Sequence, residues 1–209
     1  LYMGTSHDMA KEFIDAAANW AQLFEHVCSA IGETIFDDGS DDGVKALKID
    51  FASGFSIVAL SSKPRSLRGR QGFAILDEAA FVDNLAELIK AAMAFLIWGG
   101  KVLIISTHNG VDNPFNQLIT DIRAGRLRYG IVRFDLDDAL KDGLFERICL
   151  VNAHKHGEWT PEKEADWREK LIADYGDGAD EELYCIPSQG SGAWLPGPLI
   201  EARMVDAPV

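Results

Sequence analysis

The stretch with the most chemical content is Phe73-Ala74-Ile75-Leu76-Asp77-Glu78, four apolar residues followed by two adjacent carboxylates. An unbroken apolar run of this length is what a strand buried on both faces of a parallel sheet requires. The carboxyl end of such a strand is where open α/β folds bind ligands. Two carboxylates delivered there suit nucleotide hydrolysis. The first, Asp77, would hold the water shell of a magnesium ion, and the second, Glu78, would polarise the attacking water. A strand running into an acidic helix cap produces the same pattern, so the pair alone leaves both readings open.

A second strand end points the same way. Lys101-Val102-Leu103-Ile104-Ile105 runs into Ser106-Thr107-His108-Asn109, which places hydroxyl and amide side chains at the same sheet edge one crossover later. There they could sense the phosphate end of a nucleotide. The alternative for Ser106 and Thr107 is turn chemistry, capping the backbone where the strand stops. His108 is a coupling candidate, set against the plainer role of a hydrogen-bonded imidazole at a strand end. No Gly-x-x-x-x-Gly-Lys-Ser/Thr occurs in the sequence, so the backbone nest and the lysine that grip phosphates are missing from it. By itself this chain is therefore expected not to hydrolyse ATP well.

These residues need a sheet to hold them. Phe73–Leu76 and Val102–Ile105 read as strands buried on both faces, and a helix from Asn84 to about Trp98, ended by Gly99-Gly100, joins them in a right-handed βαβ crossover. Leu1 to Thr5 reads as the end of a buried strand, followed from the N-cap Ser6 by an amphipathic helix with apolar residues at Ala10, Phe13, Ile14, Ala17, Ala21, Phe24 and Val27. Val44–Phe51 and Phe55–Leu60, turning at Ala52-Ser53-Gly54, predict a hairpin at one edge of the sheet. Pro114 opens a helix to about Ala124, and Tyr129–Phe134 is expected to be a strand completing a second unit. Thr160-Pro161 caps a further helix, and the Gly/Pro-rich run from Pro187 to Pro198 reads as a linker.

Composition narrows the class. Of 209 residues 47% are hydrophobic and 25% charged, which is ordinary for a globular domain with a real core. The longest apolar run, around Ala91 to Trp98, is too short to cross a bilayer, so no membrane role is expected. Three scattered cysteines, Cys28, Cys149 and Cys185, fit neither a disulfide framework nor a zinc site, and a reducing cytosol suits them. A net charge of −13 argues against broad adhesion to nucleic acid. The strong positive cluster is Lys63, Arg65, Arg68 and Arg70. Its acidic counterpart, Asp37-Asp38-Gly39-Ser40-Asp41-Asp42, reads as a solvated turn. The first residues, Leu1-Tyr2-Met3, carry neither an initiator Met nor a signal layout, which reads as a fragment of a longer chain.

Tyr2-Met3-Gly4-Thr5-Ser6 with its helix, the run from Ser66 through Asp77-Glu78-Ala79-Ala80-Phe81, Lys101 to Gly110, and Glu181-Glu182-Leu183-Tyr184-Cys185 followed by Gly192-Ala193-Trp194-Leu195-Pro196 together resemble the ATPase domain of the large terminase subunit of tailed phages, of the Mu-like type. The resemblance covers nearly the whole chain. It implies an α/β fold of the P-loop NTPase (ASCE/RecA-like) type, a mainly parallel sheet flanked by helices with an edge β-hairpin. Residues 1–186 would be the ATPase domain, with the phosphate loop lying before Leu1, and 187–209 the exit toward a nuclease domain.

In that family Asp77 would match the Walker B aspartate that holds magnesium through water and Glu78 the catalytic glutamate, while Ser106, Thr107 and His108 would match the coupling motif. The cofactors implied are ATP and Mg2+. The partners implied are double-stranded DNA, a portal protein, a small terminase subunit and further copies of the chain in a ring, all in the cytoplasm of a bacterial host. Arg68 or Arg70 would then serve as an arginine finger for a neighbour's nucleotide, as a contact to DNA phosphates, or as a solvated loop. Two rivals to a packaging motor stand: a helicase-like DNA translocase, and a non-catalytic prophage remnant acting as an assembly or nucleotide-binding module.

Two other constellations attract a plainer explanation. His154 and His156 lack a third ligand of suitable spacing and read as part of a surface loop. Asp135, Asp137 and Asp138 read as the acidic start of a short helix rather than a nuclease cluster. Trp20, Trp98, Trp159, Trp167 and Trp194 are scattered, as expected for core or interface packing.

Overall fold

Tyr2–Gly4 (β1) is the hub of a six-stranded sheet in the computed structural model, which describes residues 1–26, 28–36, 44–61 and 71–189. The other strands are Gly32–Phe36 (β2), Val44–Asp50 (β3), Ser56–Ser61 (β4), Phe73–Leu76 (β5) and Lys101–Ile104 (β6), in the order β2-β3-β4-β1-β5-β6. β1 pairs in parallel with both β4 and β5, and β5 in parallel with β6, while β2, β3 and β4 pair antiparallel. The predicted hairpin is β3–β4, with Gly54 at φ 84° in its turn. It does not close the sheet: β2 lies outside it, a strand the sequence reading did not anticipate.

Two helices cover the two faces. His7–Leu23 (α1) starts at Ser6, whose hydroxyl accepts from the Met9 N–H, and ends with Phe24 as its C-cap; Val27, the last residue of the predicted apolar spacing, lies outside the described residues. Its Ala10 and Ile14 pack on Tyr2, Leu47, Ile49 and Ala59. Leu85–Ile97 (α2) lies on the opposite face, where Leu88, Ala92 and Phe95 meet Met3, Ala46, Val58, Leu60, Ala74 and Leu76. Alternation along β1 thus sends Tyr2 toward α1 and Met3 toward α2. The return from α2 into β6 needs a residue without a side chain, because a Cβ on Gly100 would fall on the carbonyl oxygens of Gly72 and Phe95.

One expectation fails at this end of the sheet. β6 is an edge strand, not one buried on both faces. Val102 and Ile104 pack toward α2, but Leu103 and Ile105 are 43% and 46% exposed, and Phe73 beside them is 49% exposed. Helix α1 sits over β1, β3 and β4 and leaves this flank uncovered.

The chain divides into two compact units, Leu1–Ser106 and Thr107–Val209. Among its described residues the second unit is helical: Pro114–Arg123 (α3), Leu136–Lys141 (α4), Leu144–Val151 (α5), Ala153–His156 (α6), Pro161–Tyr175 (α7) and Ala179–Tyr184 (α8). Its core gathers Leu136, Leu140, Phe145 and Cys149 with Trp167, Leu171 and Leu183. Thr160 caps α7 as predicted, its hydroxyl accepting from the Lys163 N–H. The expected strand at Tyr129–Phe134, and with it the second βαβ unit, is overturned. The stretch pairs with no strand, and Val132 is 95% exposed. Among the described residues its β-forming side chains have no ladder to join, and strand propensity without a partner does not make a strand. No helix among the described residues is long and apolar enough to cross a membrane.

Candidate active site

Strand β5 lies between β1 and β6, and its backbone continues the ladder one residue past its end: the Asp77 N–H donates to the Met3 carbonyl at 2.9 Å. The register aligns Tyr2 with Ile75. Asp77, two residues on, therefore falls on the same sheet face as Tyr2. The Tyr2 hydroxyl donates to Asp77 Oδ2 at 2.8 Å, and the Glu78 N–H donates to Asp77 Oδ1 at 3.1 Å. Both oxygens of the carboxylate are thus held, each with lone-pair capacity left over.

Glu78 adopts a left-handed backbone, φ 50° and ψ 43°, and leads into a 3₁₀ turn over Ala79–Phe81. A non-glycine residue there is uncommon and persists when surrounding structure enforces it, a situation that concentrates at functional sites. The enforcing contacts are visible. The Ala79 N–H donates to the Ile105 carbonyl at 3.1 Å, the Ala80 N–H to Ser106 Oγ at 3.0 Å, and the Phe81 N–H to the carbonyl of Glu78 itself at 3.0 Å. Ser106 is therefore brought to the Asp77-Glu78 turn, and its hydroxyl fastens that turn to the end of β6. The strand-into-acidic-cap alternative is not what is observed: neither carboxylate caps a regular helix, since α2 begins only after Asn84.

Thr107 and His108 belong to the second unit. His108 is only 5% exposed, its ring lies tilted against Phe115 at 5.6 Å, and its Nδ1 has no hydrogen-bond partner among the described residues. Burial pushes its pKa below the ordinary imidazole value, with Arg123 acting the same way and Glu181 opposing. The unfolded state thus takes up a proton more readily than the folded one. The contribution of His108 to stability should be complete above the ordinary value of 6.5 and decline as pH falls below it. Urea unfolding at a series of pH values should show that decline, and His108→Gln should flatten it.

Arg68 and Arg70 lie outside the described residues. The aspartates discounted as a nuclease cluster have structural duties. Asp135 and Asp138 form a reciprocal capping box on α4, and Asp137 accepts two bonds from Arg168 at 2.7 and 3.0 Å. His154 and His156 stand on the single helical turn α6 rather than in a loop, with His156 edge-on to Phe145 at 5.8 Å. Tyr2 was missed from the sequence. The available signal was general: a tyrosine in a buried strand needs a partner for its hydroxyl.

The donor set suits a hard divalent cation of modest coordination demand. Magnesium takes one or two carboxylates and fills its other positions with water and phosphate oxygens. Asp77 and Glu78 can supply that much, and no group of three or more His, Cys, Asp or Glu among the described residues forms an all-protein cage.

A mainly parallel sheet flanked by helices, with a braced carboxylate pair beyond an inner strand, defines an α/β protein with its candidate site at the carboxyl edge of the sheet. Residues 2–202 match the family model described as terminase large subunit, T4likevirus-type, N-terminal, and the chain belongs to that family. It is 52% identical over 202 residues to the Mu-like prophage FluMu protein gp28 of Haemophilus influenzae, covering 96% of this chain and 39% of that protein. It is 47% identical over 211 residues to the "Probable terminase, large subunit gp28" of Escherichia phage Mu, covering 99% of this chain and 38% of that protein. The chain thus spans about two fifths of the length of these relatives. A solved large terminase ATPase domain from Thermus phage P74-26 is similar at 15% identity and a TM-score of 0.43, over 90% of this chain and 76% of that one.

Proposed function

We propose that this chain is the nucleotide-hydrolysing part of a DNA-packaging motor, in which ATP hydrolysis moves double-stranded viral DNA into an empty head. The observation that carries the reading is the Asp77-Glu78 pair in a chain of the terminase large-subunit family, with Asp77 held on both oxygens and Glu78 fixed in a left-handed turn. Magnesium, when bound with ATP, would supply charge neutralisation at the phosphates. Asp77 would hold the ion's water shell, and Glu78 would orient and polarise the attacking water. Ser106 would tie that turn to the strand leading into Thr107 and His108, the segment assigned to coupling.

The phosphate-gripping loop would come from residues outside this sequence, so the 209 residues alone would be inactive. Arg68 or Arg70 would act on a neighbouring copy's nucleotide in a ring or on DNA phosphates. The working motor would engage a portal protein and a small terminase subunit in the cytoplasm of a bacterial host. The test is ATP-dependent protection of double-stranded DNA from nuclease by the full-length protein mixed with empty heads and portal. Protection is expected only with ATP and portal together. Strand separation without portal-dependent protection would replace this reading with that of a helicase-like translocase.

A further inference from the structure

Asp77 is held by a residue from another strand, and the way that residue is itself held is specific. The Tyr2 ring stacks on Phe13 of α1 with centroids 3.9 Å apart and planes within 4° of parallel, while its hydroxyl donates to Asp77 Oδ2 at 2.8 Å. Gly4, two residues along β1 on the same face, leaves room for this. A Cβ there would lie 3.2 Å from the Tyr2 hydroxyl, 3.3 Å from its ring and 2.8 Å from Met9 Cβ. The phenol therefore lies in a slot made by Phe13, Gly4 and Asp77, and Tyr2 as a whole is 5% exposed. A buried tyrosine hydroxyl needs an acceptor, but a backbone carbonyl would serve that need. Here the acceptor is the carboxylate assigned to the metal.

We propose that Tyr2 is a positioning residue for Asp77, fixing the carboxylate in the orientation that receives a divalent cation and linking that orientation to helix α1. The proposal rests on the reading of Asp77 as the metal-holding carboxylate. Its physical content is preorganisation. An aspartate free to rotate must be ordered when the ion arrives, whereas one already tied at Oδ2 and Oδ1 is ordered in advance. The bond spans 75 residues of sequence, so the carboxylate follows the β1–α1 element and not its own loop alone.

Tyr2→Phe keeps the ring stack and removes only the hydroxyl. In the full-length protein, Mn2+ binding in the presence of ADP, followed by electron paramagnetic resonance, should weaken by about three- to tenfold, the range set by ordering one side chain. The Mg2+ concentration needed for half-maximal ATP hydrolysis should rise by a similar factor, with kcat at saturating Mg2+ little changed. Asp77→Asn should weaken Mn2+ binding further, and adding Tyr2→Phe to it should cost nothing more.

Mn2+ binding to Tyr2→Phe that equals or exceeds wild type, while Asp77→Asn binds poorly, overturns the role of Tyr2 and leaves the assignment of Asp77 standing. Unchanged binding in Asp77→Asn overturns both. A further loss on adding Tyr2→Phe to Asp77→Asn marks packing damage and also overturns the proposal.

Discussion

Glu78→Gln in the full-length protein should lower ATP turnover by about two or more orders of magnitude while leaving nucleotide affinity nearly unchanged, because general-base assistance contributes on that scale. Glutamine keeps the length and shape of the side chain, and the left-handed backbone at this position is fixed by contacts from Ala79, Ala80 and Phe81 that the substitution does not touch. What is removed is the negative charge that, in the proposed role, would draw a proton from water. Steady-state phosphate release gives the turnover, and fluorescent-nucleotide titration gives the affinity. Turnover at the wild-type rate would sink the assignment of Glu78. Loss of nucleotide binding alongside turnover would instead point to a distorted turn.

The largest expected effect on stability lies on the opposite face of the sheet. Phe95 is wholly buried among Met3, Ala74, Leu76, Leu88 and Ala92, so Phe95→Ala should cost about 3–5 kcal/mol through lost burial and the cavity left behind. Phe95→Leu should cost clearly less, since it retains much of the volume. Urea unfolding of both variants against wild type measures the difference. A loss under about 1 kcal/mol for the alanine variant would mean that α2 does not anchor the sheet as described. Leu76 and Ala74, on β5 directly before Asp77, share that core. The Phe95→Ala cavity should therefore also loosen the carboxylate pair.

Much of this architecture was legible because local signals agreed with their surroundings. Ser6 and Thr160 announced their helices through cap chemistry that acts within one turn, and both caps are observed. The Phe73–Leu76 run announced an inner strand, and the carboxylates after it lie where such a strand delivers them. The failures over the strands are matters of who sits beside whom. Val102–Ile105 and Tyr129–Phe134 have strand-forming side chains, but one became an edge and the other found no ladder, and neither outcome is encoded in the residues themselves. β2 escaped notice because the Gly-Glu-Thr-Ile-Phe sequence is short and mixed, and its pairing with β3 makes it a strand. The Tyr2–Asp77 bond escaped for the same reason, since only the register of β1 against β5 brings the two together.

The bare flank of β6 has a practical meaning for anyone handling these 209 residues in solution. A strand edge left unpaired among the described residues, beside half-exposed Phe73, Leu103 and Ile105, is a ready template for another chain to dock against, and Lys101 is the one charge on that strand to discourage it. Soluble expression, crystallisation and light scattering would all register this stickiness before any enzymology began. A lysine in place of Leu103 would be the first remedy, since it would put a charge on the tacky side and leave the packing of Val102 and Ile104 against α2 intact.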